Sequence, residues 1–195
     1  MIVRGATPAD VGGIARVHVV AWREVYTALL PTAIMETNTE ERRRALWERV
    51  AAEGSRRVFV AVEDGAIVGF VCGGAMPESI RGRLPIAGHD AYVDALYVLA
   101  AWHGRGIGRA LLGTLANALL RDGLSSLALH VVAQNPARRF YEHLGARFVH
   151  AEPIAPGLDE GLQCAYGWSD LRSVPTGTSQ WTVQPRGGEP QPDCT

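Results

Sequence analysis

Tyr97-Val98-Leu99-Ala100-Ala101-Trp102-His103-Gly104-Arg105-Gly106-Ile107-Gly108-Arg109-Ala110-Leu111-Leu112 decides the reading of this chain. An apolar stretch runs into a glycine-rich turn, and apolar residues at helical spacing follow it. Such a turn aims several main-chain N–H groups at one point, at the positive end of a helix dipole. A point of that kind binds phosphate. Glycine lets a ligand approach the backbone closely, because no Cβ stands in the way. The loop is not a P-loop: no Gly-Lys-Ser/Thr follows it, and all 19 basic residues of the chain are Arg. The spacing Gly104-x-Gly106-x-Gly108 also departs from the G-x-G-x-x-G dinucleotide fingerprint. The expected phosphate ligands are the backbone amides of His103, Gly104, Arg105, Gly106, Ile107, Gly108 and Arg109, with the Arg105 and Arg109 side chains as partners.

A second block lies downstream. Gln134-Asn135-Pro136 follows an apolar run, a short helix carries Phe140-Tyr141-Glu142, and Gly145 ends it. The two blocks, in this order, resemble motifs A and B of the GNAT N-acetyltransferase superfamily. Motif A is usually Gln/Arg-x-x-Gly-x-Gly/Ala, and His103 departs at its first position. Val17-His18, Ala21-Trp22-Arg23, Tyr26 and Leu30-Pro31 resemble the first helix of one bacterial subgroup. Cys164 to Leu171 resemble its last strand, so the likeness spans about residues 1–171.

The rest of the chain supplies the other elements. A strand is expected at 2–4. Thr7-Pro8-Ala9-Asp10 then starts a helix, with Thr as N-cap and Pro at the first helical position; it runs at helical spacing to Pro31. A second helix is expected from Glu40 to about Ala52, stopped by Gly54. Asp64-Gly65 between two β-branched runs marks a hairpin. A loop at 77–88, strands at 91–99, 126–132, 146–151 and 161–168, and helices at 106–121 and 137–143 complete the order. The class is α/β in the α+β sense. The resemblance implies the GNAT fold: a mixed, mostly antiparallel sheet of six to seven strands flanked by about four helices. In that fold the two strands around the glycine-loop helix splay apart and admit the pantetheine arm of acetyl-CoA. Residues 1–172 form the expected domain. Residues 173–195, rich in Pro, Gly and Ser, are expected as a tail without fixed structure, with Trp181 its large anchor.

Acyl transfer from a thioester to an amine needs phosphate anchoring, oxyanion donors, removal of an amine proton and an acid for the thiolate. The resemblance assigns Tyr141 as that acid. A phenol near pKa ~10 stays protonated and can donate to a thiolate whose acid has pKa ~8.5. Phe140 beside it is expected in the core. The resemblance also places Leu96, Tyr97 and Val98 along the acyl-CoA arm, with a Val98-region amide as oxyanion donor and Arg138 nearby. Either Gln134 or Asn135 contacts the pantetheine; the Asn-Pro turn favours Asn135. Where many relatives carry Glu, this chain has Tyr92. Asp94, two residues on and on the same strand face, is the candidate base, and Tyr92 is a candidate to orient the acceptor; Asp90 lies two before. His18, Trp22 and Tyr26 line one helix face and read as an aromatic core stripe, although the resemblance implies that the first helices border the acceptor site.

The bulk numbers narrow the class. With 195 residues the chain can build one real core, and a net charge of −1 argues against general nucleic-acid binding. Cys72, Cys164 and Cys194 have no metal or disulfide spacing, and no run suits a signal segment or a membrane span, so a reducing cytoplasm and no metal are expected. Arg without Lys suggests a GC-rich bacterial genome. The expected function is acetyl-CoA-dependent transfer to a primary amine, of a small molecule before a peptide or protein. An acyl-CoA-binding sensor without turnover is the competing reading, and a homodimer is an assembly the resemblance allows.

Overall fold

The computed structural model describes residues 1–27, 35–81, 86, 88–154, 161–176 and 182–184. Its elements are β1 (Ile2–Gly5), α1 (Val11–Tyr26), α2 (Glu40–Glu53), β2 (Arg57–Glu63), β3 (Ala66–Ala75), α3 (Glu78–Arg81), β4 (Ala91–Val98), α4 (Ile107–Arg121), β5 (Leu127–Val132), α5 (Ala137–His143), β6 (Arg147–Pro153), β7 (Leu162–Trp168) and β8 (Thr182–Gln184). One sheet contains all the strands, in the order β6-β7-β5-β4-β3-β2-β1-β8.

Local chemistry explains the boundaries. Asp64 and Gly65 both take positive φ, 47° and 75°, as the tight β2–β3 turn requires. The Thr39 hydroxyl accepts from the Arg42 amide at the start of α2, and Gly54 at φ 64° ends it. Each face of the sheet has its own core. On one, Leu111, Leu112, Leu115 and Leu119 of α4 are fully buried with Val71, Val93 and Leu129; each contributes about 2 kcal/mol of transfer free energy. On the other, Ile14, Val17 and Trp47 from α1 and α2 pack with Val58, Val60 and Phe70.

Several expectations change. Pro8–Asp10 is a 3-10 turn and α1 proper starts at Val11, because Asp10 is drawn into a two-pronged pair with Arg4 at 2.7 and 2.8 Å. The helix ends at Tyr26; Leu30 and Pro31 lie outside the described residues. The loop expected at 77–88 contains α3, so the described α-helices number five. The sheet exceeds seven strands because Thr182–Gln184 pairs in parallel with β1. Val174, also in the expected tail, is buried. Backbone pairing to an open sheet edge needs no particular side chain, so composition does not signal it. Trp181 lies outside the described residues.

The feature that builds the site is the contact between β4 and β5. These parallel neighbours pair only at Ala91↔Leu127 and Tyr92↔Ala128. Beyond that point β4 stays bound to β3, with a register shift that leaves Asp94 as an extra residue between Val93 and Ala95. A bulge of this kind bends and twists its strand. It also resets the alternation: Val93 faces the α4 core, Ala95 and Tyr97 face α1, and Leu96 and Val98 return to the α4 side. The closed end is clamped by Asp90, whose carboxylate accepts from the amides and hydroxyls of Ser125 and Ser126 at 2.8–2.9 Å. Burial raises the Asp90 pKa, but these four bonds outweigh it and hold it at about 2.

Asp90→Ala is therefore expected to lower stability by about 2 kcal/mol in urea titration at neutral pH. The sign follows from a folded pKa below the unfolded value of about 3.9. The difference from the parent should persist down to about pH 4 and shrink towards pH 2 as the carboxylate protonates.

Candidate active site

The end of β4 leads directly into the glycine turn. The Leu99 amide still bonds Val68 O, and the Ala100 amide is held by the Glu24 carboxylate from α1 at 3.0 Å. A 3-10 turn, Ala100–Trp102, follows. Gly104 and Gly106 take φ 74° and 78°, where an L side chain is strained, and α4 begins at Ile107. Among the described residues, no hydrogen bond is donated by the amides of residues 104–109; the first helical bond is Ala110 N to Gly106 O. These amides sit at the N-terminus of a 15-residue helix and border a cavity of about 600 Å³. Arg105 and Arg109 are exposed beside it, Arg105 with its guanidinium 4.5 Å from the Trp102 ring centre.

His103 is a correction. Its amide bonds Ala100 O at 3.0 Å, so it does not belong to the free set. Its Nε2 lies 2.9 Å from Val98 O; a carbonyl only accepts, so that nitrogen carries the proton. The residue staples the turn to the end of β4.

The cavity continues between β4 and β5 as a cleft of about 160 Å³, reached by Glu24, Val25 and Tyr26 from the end of α1. Leu96, Val98, Asn135, Ala137 and Tyr141 border both spaces. Asn135 is buried; its Oδ1 accepts from the Ala137 amide at 2.9 Å, and its Nδ2 lies 3.4 Å from Tyr26 Oη. Gln134 is exposed and borders neither space, so of the two only Asn135 lines the cleft. Arg138 also departs from expectation. Its Nε donates to Tyr166 Oη at 3.0 Å and its Nη1 to Ala133 O at 2.8 Å. Those bonds turn it away from both spaces and tie α5 to β7.

Tyr141 reaches the cleft from α5, and its hydroxyl has no hydrogen-bond partner among the described residues. Burial pushes its pKa up, and Tyr26 and Tyr92 add to the shift. Tyr97 points to the α1 side and stacks on His18 at 4.9 Å. His18 belongs to the core stripe: its Nδ1 accepts from Trp47 Nε1 at 3.2 Å, and burial, then Arg43, lowers its pKa to about 3. Phe140 packs against Gly108, where a Cβ would come within 3.0 Å of the ring. The third glycine of the turn thus serves helix packing.

Asp94 borders the cleft, and Tyr92, on the same side of β4, is buried next to it. Asp94 Oδ1 pairs with Arg56 Nη2 at 3.0 Å, and Oδ2 lies 3.7 Å from Cys72 Sγ. Burial raises its pKa against the pull of Arg56. Tyr92 Oη lies 2.8 Å from His130 Nδ1. His130 lines the cleft, and histidine spacing does not single it out. The available signal is a lone polar residue within the apolar run Leu127–Val132. Among the described residues no cluster of His, Cys, Asp and Glu suits a metal ion, and no helix is long and apolar enough to cross a membrane.

The chain resembles known proteins over most of its length. The uncharacterized N-acetyltransferase YuaI of Bacillus subtilis (strain 168) is 30% identical over 175 residues, covering 89% of this chain and 96% of its own. The fold is shared with the N-acetyltransferase of Staphylococcus aureus Mu50 (TM-score 0.64, 21% identity, 87% of this chain and 98% of that one). It is shared too with the PaiA N-acetyltransferase of Thermoplasma acidophilum, solved with coenzyme A (TM-score 0.62, 15% identity, 85% and 98%). The yncA protein of Salmonella typhimurium, solved with its cofactor acetyl-CoA, gives a TM-score of 0.65 at 22% identity, over 88% and 94%. Residues 22–146, which hold the bulged strand, the glycine turn and the Ala137–His143 helix, match the Acetyltransferase (GNAT) family, and the chain belongs to that family.

Proposed function

We propose that this protein transfers the acetyl group of acetyl-CoA directly to a primary amine of a small molecule. The observation that carries the reading is the set of unbonded amides at residues 104–109, opening on a cavity continuous with the β4–β5 cleft. The cavity is large enough for the phosphates and adenosine end of a nucleotide thioester. The cleft suits an extended pantetheine arm, which would pair with β4 as an added strand does. Relatives of the same fold were solved with coenzyme A or acetyl-CoA.

In this reading Gly104 to Arg109 hold the pyrophosphate by main-chain donation, and Arg105 and Arg109 add charge. Asn135 meets the pantetheine amide, and β4 backbone near Val98 faces the thioester oxygen. As the C–N bond forms and the C–S bond breaks, the leaving thiolate takes the Tyr141 hydroxyl proton. Tyr141 suits this task because its raised pKa keeps it protonated. No cysteine lies in the turn or on α5, so no acyl-enzyme step is required. Cys72 and Cys164 are buried free thiols, in keeping with the cytoplasmic location we assign.

The test is thiol release from acetyl-CoA with a panel of small primary amines and short peptides. Faster release with small amines supports the reading. No turnover with any acceptor, alongside micromolar binding of acetyl-CoA, supports a sensor instead. Tyr141→Phe is expected to lower kcat about 100-fold while leaving KM for acetyl-CoA within about twofold. Gly106→Ala forces an L side chain into the left-handed region, and calorimetry should show Kd for coenzyme A rising about tenfold.

A further inference from the structure

We propose that Tyr92, His130 and Glu152 form a proton relay on the acceptor side of the cleft, with His130 receiving the proton shed by the attacking nitrogen. This assignment rests on the transferase reading above.

Three elements assemble the relay. Tyr92 comes from β4 at the last position paired with β5, His130 from β5 two residues beyond that pairing, and Glu152 from β6. The His130 side chain is 8% exposed and borders the cleft. Its Nδ1 lies 2.8 Å from Tyr92 Oη. Its Nε2 lies 4.0 Å from Glu152 Oε1 and is buried without a hydrogen-bond partner among the described residues. Glu152 is itself oriented by Gln163, whose Nε2 donates to Oε1 at 2.8 Å.

These contacts choose the tautomer. A proton on Nε2 faces a carboxylate, whereas a lone pair there would oppose it. Nδ1 then carries the lone pair and accepts from the Tyr92 hydroxyl. The groups that face the ring are Tyr92 from β4 and His150 and Glu152 from β6; β7 presents Ala165 opposite it. Burial, then His150, resists a positive ring, and Glu152 favours one. Asp94, the other acid on this side, is already paired with Arg56. A tyrosine alone is a poor proton acceptor near neutral pH. A tyrosine hydrogen-bonded to a neutral imidazole, with a carboxylate behind it, can pass a proton inward.

The step balances. The amine lone pair forms a C–N bond to the thioester carbonyl carbon, and the nitrogen becomes cationic and acidic. Its proton moves to Tyr92 Oη as the Tyr92 proton moves to His130 Nδ1. Collapse breaks the C–S bond, the electron pair leaves on sulfur, and Tyr141 protonates it. The resulting imidazolium and phenolate then neutralise each other through solvent.

The full-length protein is tested by ¹⁵N imidazole NMR, with His130→Gln used to assign the signal among six histidines. At neutral pH His130 should be neutral with its proton on Nε2. Glu152→Gln should lower its titration midpoint by about one pH unit. An Nδ1-protonated ring, or a midpoint indifferent to Glu152→Gln, overturns the relay. With an amine that the panel shows to be acetylated, His130→Gln should lower kcat about 50-fold and remove the acid limb of the kcat profile. It should leave calorimetric binding of acetyl-CoA unchanged, which separates lost chemistry from misfolding. Tyr92→Phe should cost about tenfold in kcat. Parental kcat and pH profile in His130→Gln overturn the assignment. If no amine is turned over at all, the transferase reading fails and the relay falls with it; a turned-over amine with parental kcat in His130→Gln overturns the relay alone.

Discussion

Two parallel strands that hydrogen-bond at only two residue pairs set the terms for everything else. Beyond Tyr92 and Ala128 the facing edges of β4 and β5 no longer satisfy each other. Main-chain polar groups at such depth need a partner of some kind. An extended ligand with alternating amides is one that matches the spacing of a strand. The split is stabilised at both ends. Asp90 clamps the closed end through Ser125 and Ser126, and the extra residue at Asp94 turns β4 aside while β3 keeps hold of it. A cleft held in this way exists before any ligand arrives, so binding need not include the cost of opening it.

The two faces of the sheet divide the chemistry. On the α4 side lie the glycine turn, the helix N-terminus and Tyr141, all suited to a phosphorylated thioester. On the α1 side lie Tyr92, Asp94, His130 and Glu152, the side to which we assign the amine. The bulge joins the two halves. By resetting the alternation it lets Leu96 and Val98 face the first half while Tyr92 and Asp94 stay with the second.

How far this arrangement could be read in the sequence depends on the range of each interaction. The glycine turn, the Asp64-Gly65 hairpin and the Ala137–His143 helix are local patterns, and each lies where its residues imply. The bulge has no such pattern, because one extra residue in a strand looks like any other. The Asp94–Arg56 pair and the Tyr92–His130 contact each join residues 38 apart, so only the strand order brings them together. Arg138 misleads for the same reason: its neighbours in sequence suggest the ligand, while its neighbour in space is Tyr166. The strand at 182–184 escapes because its partner is backbone. His103 is legible as a departure from a motif, but its bond to Val98 O depends on the turn that positions it.

The contact between Gly108 and Phe140 carries a mechanical consequence. Gly108 stands in the first turn of α4, beside the amides, and Phe140 is the immediate neighbour of Tyr141. A Cβ added at Gly108 would lie 3.0 Å from the ring, closer than ordinary contact. Interiors this dense transmit displacement instead of absorbing it. The glycine turn and the α5 segment that carries Tyr141 are therefore mechanically coupled, and a methyl group added at Gly108 would be felt as a displaced Tyr141 hydroxyl.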